Sequence, residues 1–257
     1  MTGLVDRTIS ALRTEHDVLA HLARGLADDR LAAPSGAAEW TVAQVYSHLG
    51  SGAEIGRAPI ASAAGETVAA EDNQAIWARW DASAPRAQVE GFLEHNARWL
   101  DTVEALTPEQ RSSMTVDLGF LPEPVPLVTA LGMRLNEVAN HSWDVRVAFD
   151  PDAGVDADSA AVLLDLLAGP IGFLLGFVAK PAELASPVSL ATAGAALVID
   201  DSVTVVDHLE APSATLDGPP EALVRLVSGR LRTPYDKGIT VEGNVTLDDL
   251  RRVFAGF

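Results

Sequence analysis

The chain has 257 residues, 48% of them hydrophobic and 21% charged, a composition typical of a globular protein with one large domain or two modest ones. Its formal net charge of -18 repels nucleic acid phosphates and anionic lipid headgroups, so we expect neither a nucleic acid partner nor membrane binding. The sequence contains no cysteine, which excludes disulfides and a protein thiol nucleophile. Any thiol chemistry therefore requires a small-molecule thiol.

The first helix is predicted over residues 4–27, where leucines recur at helical spacing and form one apolar stripe. Its first turns include Asp6 and Arg7 and lack the continuous apolar core of a signal peptide, so a cytoplasmic location is expected. A second helix is predicted to begin after Thr41, because Thr41 and Gln44 have the spacing of a capping box. His48 lies on the apolar edge of this helix and can therefore point into a helical bundle.

Two further long helices are predicted, one that begins near Pro85 and ends at residues 106–108, and one over residues 127–149. In the latter, Glu137 and His141 lie one residue before successive members of the apolar stripe. That offset rotates them by about 100° from the stripe, so they border the buried face rather than face open water. Four long helices joined by loops predict an up-and-down four-helix bundle.

The pattern changes after the turn-rich residues 149–154, and the predicted domains are residues 1–152 and 153–257. Residues 160–179 are strongly apolar but are interrupted by glycine, proline and Asp165, which predicts a broken, buried helix pair rather than a membrane span. Short strands and helices are predicted after it. The strands occupy residues 196–199, 203–206, 214–216 and 239–243, and the helices residues 220–227 and 246–254. The predicted fold class is therefore α+β, a helical bundle followed by a smaller α+β domain.

A metal site is the clearest functional hypothesis. Glu137 and His141 are four residues apart on a predicted helix, so both can bind one cation, and His48 as a third ligand leaves a coordination position open, as in catalytic zinc sites. A lone Glu-x-x-x-His pair also arises by chance on solvated helices, and His48 can equally be a half-buried histidine bonded to a carbonyl. His95 is the reserve ligand. Asp144 can hold the second nitrogen of His141, or pair with a nearby arginine.

Three arginines and a tryptophan are candidates for contacts with substrate and cofactor. Arg79 can bind a substrate carboxylate through its planar guanidinium, or stack between neighbouring tryptophans on the surface. Arg230 and Arg232 follow a predicted helix of the second domain, where either can bind an anion or solvate a loop. Trp143 is a candidate cofactor contact, although Trp143 and Trp40 are most simply core or rim aromatics.

Several segments resemble one family. Residues 39–49, Glu-Trp-Thr-Val-Ala-Gln-Val-Tyr-Ser-His-Leu, resemble the tryptophan-led second-helix motif of the mycothiol-dependent maleylpyruvate isomerase family. Residues 134–145 are similar to the second metal motif of that family, and residues 217–230 and 241–244 to its C-terminal sterol-carrier-like domain. The resemblance extends over nearly the whole chain and implies a DinB-like metal-binding four-helix bundle at the N-terminus.

The resemblance also implies a function. The metal ligands of the family would fall on His48, Glu137 and His141, with zinc favoured by ligand type and mycothiol as the thiol cosubstrate. Binding to the metal would lower the pKa of the thiol, and the thiolate would then add to an electrophile. The protein would act as a divalent-metal-dependent S-transferase or as a cis–trans isomerase of the maleylpyruvate type.

In this scheme Arg79, at about the distance after His48 of the isomerase's substrate-binding arginine, and Arg230 are the catalytic candidates. Arg232 and Trp143 are the candidate cofactor contacts. The expected partners are a small-molecule thiol and an electrophilic substrate, bound by a monomer or a homodimer. The alternative is a non-catalytic protein that senses metal or binds a lipid-like ligand, with residues 163–178 lining a cavity.

Overall fold

A computed structural model of the protein describes residues 3–69 and 71–256, which fall into two compact units that divide between Asp150 and Pro151. The first unit is helical apart from one two-stranded sheet. The second is smaller and combines short helices with a five-stranded sheet. The predicted α+β fold class, a helical bundle followed by a smaller α+β domain, is confirmed.

The first unit is a bundle of four long helices with shorter elements between them. In chain order its elements are α1 (Leu4–Gly25), α2 (Asp28–Leu31), α3 (Val42–Ala63), α4 (Asn73–Asp81), α5 (Pro85–Glu104), α6 (Pro108–Ser113), β1 (Thr115–Val116), β2 (Val125–Pro126) and α7 (Leu127–Val147). The long helices are α1, α3, α5 and α7. Helix α3 packs along α5 and α1 along α7, while contacts of α1 with α5 and of α3 with α7 complete the bundle.

Local sequence signals set the beginnings of the bundle helices. At the start of α3, Thr41 Oγ1 accepts a hydrogen bond from the Gln44 backbone N–H at 3.3 Å, and Gln44 Oε1 accepts one from the Thr41 backbone N–H at 2.8 Å. The predicted capping box is thus confirmed, and it satisfies two amides at the helix N-terminus that have no partner within the helix. Helix α5 begins at Pro85, as predicted from the suitability of proline for a first helical position.

Sequence patterns do not predict the short helix α4, whose position depends on a tertiary contact. Trp80, near the end of α4, is 3% exposed and lies between α3 and α5. A Cβ atom at Gly50 of α3 would lie 2.2 Å from the Trp80 ring, and one at Gly91 of α5 would lie 2.7 Å from it. Two glycines therefore make room for one indole, a fit that no local periodicity indicates.

The second unit packs helices against a mixed sheet. Its elements are α8 (Ala157–Leu167), α9 (Leu175–Val178), β3 (Val188–Ala191), β4 (Ala196–Ile199), β5 (Val203–Val206), β6 (Ala214–Asp217), α10 (Ala222–Val227), β7 (Thr240–Gly243) and α11 (Leu247–Val253). The strand order is β5-β4-β3-β6-β7, with β3 and β6 parallel and the other neighbours antiparallel. The four predicted strands correspond to β4, β5, β6 and β7, whereas the central strand β3 was not predicted.

The apolar segment at the start of the second unit is a helix pair broken by a bend of 83°. The predicted break is confirmed. The predicted burial holds only for α8, because Phe173 and Phe177 in the second arm are 43% and 74% exposed. Among the described residues no single helix is long and apolar enough to cross a membrane, and the bent pair has the required length and composition only when its two arms are counted together.

Candidate metal centre

His48, Glu137 and His141 lie together where α3 and α7 face each other. His48 Nε2 is 3.0 Å from Glu137 Oε2, which is in turn 3.7 Å from His141 Nε2. One ligand atom from each of the three residues lies within 4.8 Å of those of the other two. Helix α7 supplies two of these groups from successive turns, and α3 supplies the third, as the helical spacing predicts.

The separations suit a tetrahedral ion. Zinc with ligand bonds of 2.0–2.1 Å places neighbouring ligand atoms about 3.3 Å apart, and the two distances to Glu137 Oε2 are close to that value. The His48 and Glu137 side chains are 40% and 48% exposed, whereas His141 is 12% exposed. His141 is thus largely buried in the bundle, while the exposed sides of His48 and Glu137 leave the cluster accessible to solvent.

The electrostatics keep the carboxylate of Glu137 ionised. Loss of hydration raises its pKa, but the hydrogen bond from His48 and the charges of His141, His48 and Arg134 outweigh that effect and lower the pKa of Glu137 to about 2. A carboxyl group must be deprotonated to bind a metal, so Glu137 is in the required form throughout the neutral range.

Asp144 orients His141. Its carboxylate Oδ2 is 2.8 Å from His141 Nδ1, and the Asp144 side chain is completely buried. A proton on Nδ1 is donated to this carboxylate, which leaves the lone pair of Nε2 directed at the cluster. The contact with His141 that was considered from the sequence is thus present in the structure.

Trp40 forms an aromatic wall beside the cluster. Its ring lies 5.6 Å from that of His141 in a stacked arrangement and 5.0 Å from that of His48 in a tilted one, measured between ring centroids. The indole is 37% exposed, so Trp40 is a rim residue, one of the two roles expected from the sequence, but its contact with both histidines was not predicted. The signal that could have indicated it is its place directly before the capping box, where an apolar side chain often packs back on the helix.

The loop before α3 holds Trp40 in this place. The backbone N–H and the hydroxyl of Ser35 both donate hydrogen bonds to the Trp40 carbonyl, at 3.0 and 2.8 Å. Glu39, the residue before it, has a φ of 65°, a left-handed conformation that is uncommon for a residue with a side chain. The backbone N–H of Gly36 donates to the Asp144 carbonyl at 2.7 Å, which connects the loop to α7.

Arg79 belongs to a separate polar cluster in the same unit. Its guanidinium donates to Glu54 at 2.6 Å and to Glu71 at 3.5 Å, and the Trp80 indole N–H donates to Glu54 at 2.7 Å. His95, the reserve ligand, is 3.6 Å from the same Glu54 carboxylate and is not part of the three-ligand cluster. Binding of a substrate by Arg79 stays a prediction, and it would require competition with two carboxylates.

The remaining candidates are one tryptophan of the bundle and two arginines of the second unit. Trp143 is 0% exposed and packs in the core of the bundle, which favours the core role considered from the sequence over contact with a cofactor. Arg230 and Arg232 follow α10 in the second unit, where the Arg230 guanidinium donates to the Ser228 carbonyl at 3.2 Å. Their contacts with substrate and cofactor stay predictions.

Comparison with known proteins adds to this geometry. The model of the family described as the mycothiol maleylpyruvate isomerase N-terminal domain matches residues 12–146, more than half of the chain. Two solved structures are similar, those of the mycothiol-dependent maleylpyruvate isomerase and of a histidine-to-alanine mutant of it, each with 19% identity, a TM-score of 0.62, and coverage of 95% of this chain and 98% of that chain. A search of curated proteins finds no match. The likeness to the solved structures shows a shared fold, and the family match shows that this chain belongs to the mycothiol maleylpyruvate isomerase N-terminal domain family.

Proposed function

We propose that this protein is a divalent-metal-dependent enzyme that uses mycothiol to isomerise, or to form a conjugate with, a small electrophile. The observation that carries the proposal is the convergence of His48, Glu137 and His141 in a chain of this family. Zinc is the favoured ion, because two imidazoles and one carboxylate are a known ligand set for catalytic zinc. The lack of cysteine supports the use of an external thiol.

The residues of the site have distinct roles in this proposal. His48, Glu137 and His141 hold the ion, and Asp144 keeps the Nε2 atom of His141 directed at it. A bound divalent cation with an open position would lower the pKa of a thiol and so supply a thiolate near neutral pH. One carboxylate and two neutral imidazoles leave the site with net positive charge, which favours the anionic form of the thiol.

The reaction requires an electrophile with a conjugated double bond. The thiolate sulfur forms a bond to one carbon of the C=C bond, and the electron pair moves onto the conjugated carbonyl oxygen. Rotation is then possible about the former double bond. When the C–S bond breaks, the pair returns, the double bond forms again in the other geometry, and the thiolate is released. If the adduct instead takes up a proton and leaves, the protein acts as an S-transferase.

Metal binding is tested by elemental analysis of the purified protein and of two histidine variants. We expect close to one divalent ion per chain in the native protein and its loss in His141→Ala, with the helical circular dichroism spectrum retained. His21→Ala, at an exposed position on α1, is the matched control and should retain the ion. Full metal content in His141→Ala would reject the site.

Thiol use is tested separately with the zinc-loaded protein, mycothiol and maleylpyruvate or a panel of other conjugated electrophiles. Nuclear magnetic resonance distinguishes an isomerised substrate, while mass spectrometry detects a conjugate with mycothiol. Neither product above the uncatalysed background would reject the proposed chemistry. A co-purified acyl ligand without metal, seen in native mass spectrometry, would instead support the binding-protein alternative, in which residues 163–178 line a cavity.

A further inference from the structure

Arg134 is a half-buried cation that forms no ion pair at contact distance with the described residues, although its charge acts on Glu137. Its Nη2 atom donates hydrogen bonds to the Leu49 carbonyl and to Asn96 Oδ1, both at 2.8 Å, while its Nε atom is buried and has no partner. The Trp99 ring lies 5.8 Å from the guanidinium carbon. No carboxylate of the described residues lies within ion-pair distance of Arg134.

This arrangement is unusual in a chain with a net charge of -18. Several other arginines of the bundle form ion pairs, as in the contact of Arg13 with Glu104 at 2.7 Å, and an arginine removed from solvent is usually paired with an acid. Burial lowers the pKa of Arg134 to about 10, so the guanidinium is still protonated at neutral pH. The nearest acid on its own helix face, Glu137, is directed instead at the two histidines.

Gly52 leaves one side of the guanidinium uncovered. A Cβ atom at position 52 would lie 2.9 Å from Arg134 Nη1, an atom that makes no hydrogen bond to the described residues. Gly52 follows His48 by one turn of α3, and Arg134 precedes Glu137 by about one turn of α7. The backbone positions of Gly52 and Arg134 are therefore about one helical turn, or about 5.4 Å, along their helices from those of His48 and Glu137.

We propose that Arg134, reached across Gly52, binds a carboxylate of the electrophilic substrate and makes the site selective for anionic electrophiles. A guanidinium suits this role because its fixed N–H groups match the geometry of a carboxylate. In a small unsaturated acid, the carboxylate and the carbon that receives sulfur are only a few bonds apart, which fits the spacing of one helical turn. Arg79, in contrast, is already paired with Glu54 and Glu71.

This inference rests on the proposed function only in calling the anion a substrate. The binding of a carboxylate by Arg134 can be tested without that function. Calorimetry with maleate, and with neutral dimethyl maleate as the comparison, tests it on both zinc-loaded and chelator-treated protein, without mycothiol. We expect the native protein to bind maleate in both forms and to prefer it over the diester. Arg134→Met should weaken maleate binding by about tenfold to a hundredfold, the usual effect of losing a charge-assisted hydrogen bond.

Two further variants control for folding and for net charge. Gly52→Ala leaves Arg134 in the chain and adds only a methyl group at a helical position, so it should fold normally while displacing the guanidinium and weakening maleate binding. Arg98→Met removes the same charge at an exposed site on α5, where the side chain is 62% exposed, and should bind maleate as the native protein does.

Three outcomes would contradict the inference. Equal maleate binding by the native protein, Arg134→Met and Gly52→Ala, or no maleate binding by the native protein, would overturn it. Loss of binding in Arg79→Gln but not in Arg134→Met would assign the anion to Arg79. The proposed function can fail independently of this inference. The protein could bind maleate through Arg134 and yet neither retain metal nor use mycothiol. That result would support the role of Arg134 and reject the proposed enzymatic function.

Discussion

Replacement of Asp144 by Asn tests how far the candidate metal centre depends on a residue that does not itself bind the ion. The carboxylate is 0% exposed and lies 2.8 Å from His141 Nδ1, so the amide would occupy nearly the same space. Asn has no charge, and its NH₂ group can turn toward Nδ1 and favour the wrong imidazole tautomer. Loss of such an orienting contact lowers metal affinity by about tenfold to a hundredfold, which corresponds to about 1.4–2.7 kcal/mol.

The assay is a competitive zinc titration against a chromophoric chelator, with thermal unfolding of the metal-free protein to verify that Asp144→Asn folds. Asp101→Asn is the control, since the Asp101 side chain is 75% exposed on α5 and lies 3.8 Å from Arg13. It should bind zinc with native affinity. If Asp144→Asn folds and binds zinc as tightly as the native protein, the contact does not orient His141 and this account of the site is refuted.

Two other predictions concern the pH dependence of stability and the aromatic wall. Burial and then the charge of Arg13 lower the pKa of His16, which hydrogen-bonds Asn96 at 2.9 Å, so the folded state binds its proton less readily than the unfolded chain. The stability contributed by neutral His16 should be complete above about pH 6.5 and decrease as the pH falls below it. In chemical denaturation, the free energy of unfolding of His16→Gln should therefore decrease less between pH 7 and pH 5 than that of the native protein. The same pH dependence of that free energy in both proteins would contradict this prediction. Trp40→Ala should weaken zinc binding by about tenfold and Trp40→Phe by less, because each aromatic contact with the ligand rings contributes about 0.5–1.5 kcal/mol. The control is Trp77→Ala, since Trp77 is 43% exposed on α4. Native zinc affinity in Trp40→Ala would show that the stacking has no effect on the ligands.

Much of the fold was accessible from the sequence because helices are recognised by local patterns. The capping box of Thr41 and Gln44, the proline that begins α5 and the apolar spacing of α7 each involve residues within a few turns of one another. The strand β3 and the short helix α4 escaped detection. Their positions depend on pairing with distant strands and on the fit of Trp80 between two glycines.

The same distinction applies to the candidate site. Helical spacing determined that Glu137 and His141 share one face, and the position of His48 on an apolar edge determined that it could join them. The choice among several partners required the tertiary structure. Asp144 had both a histidine and arginines within reach along its helix, and the structure shows its contact with His141. Arg79 had possible roles at the surface and in the site, and the packing of α4 against α3 places its guanidinium on Glu54.

Arg134 illustrates the limit most clearly. Its place one turn before Glu137 was evident from the sequence, but neither its partial burial nor the absence of an ion pair with the described residues could be inferred from residues on its own helix. The role of Gly52 became apparent only once the fold placed α3 beside Arg134. Periodicity determines which face of a helix a side chain occupies, whereas the energy of a buried charge depends on what the neighbouring helices bring to within a few ångströms of it, and that was decided by the tertiary fold.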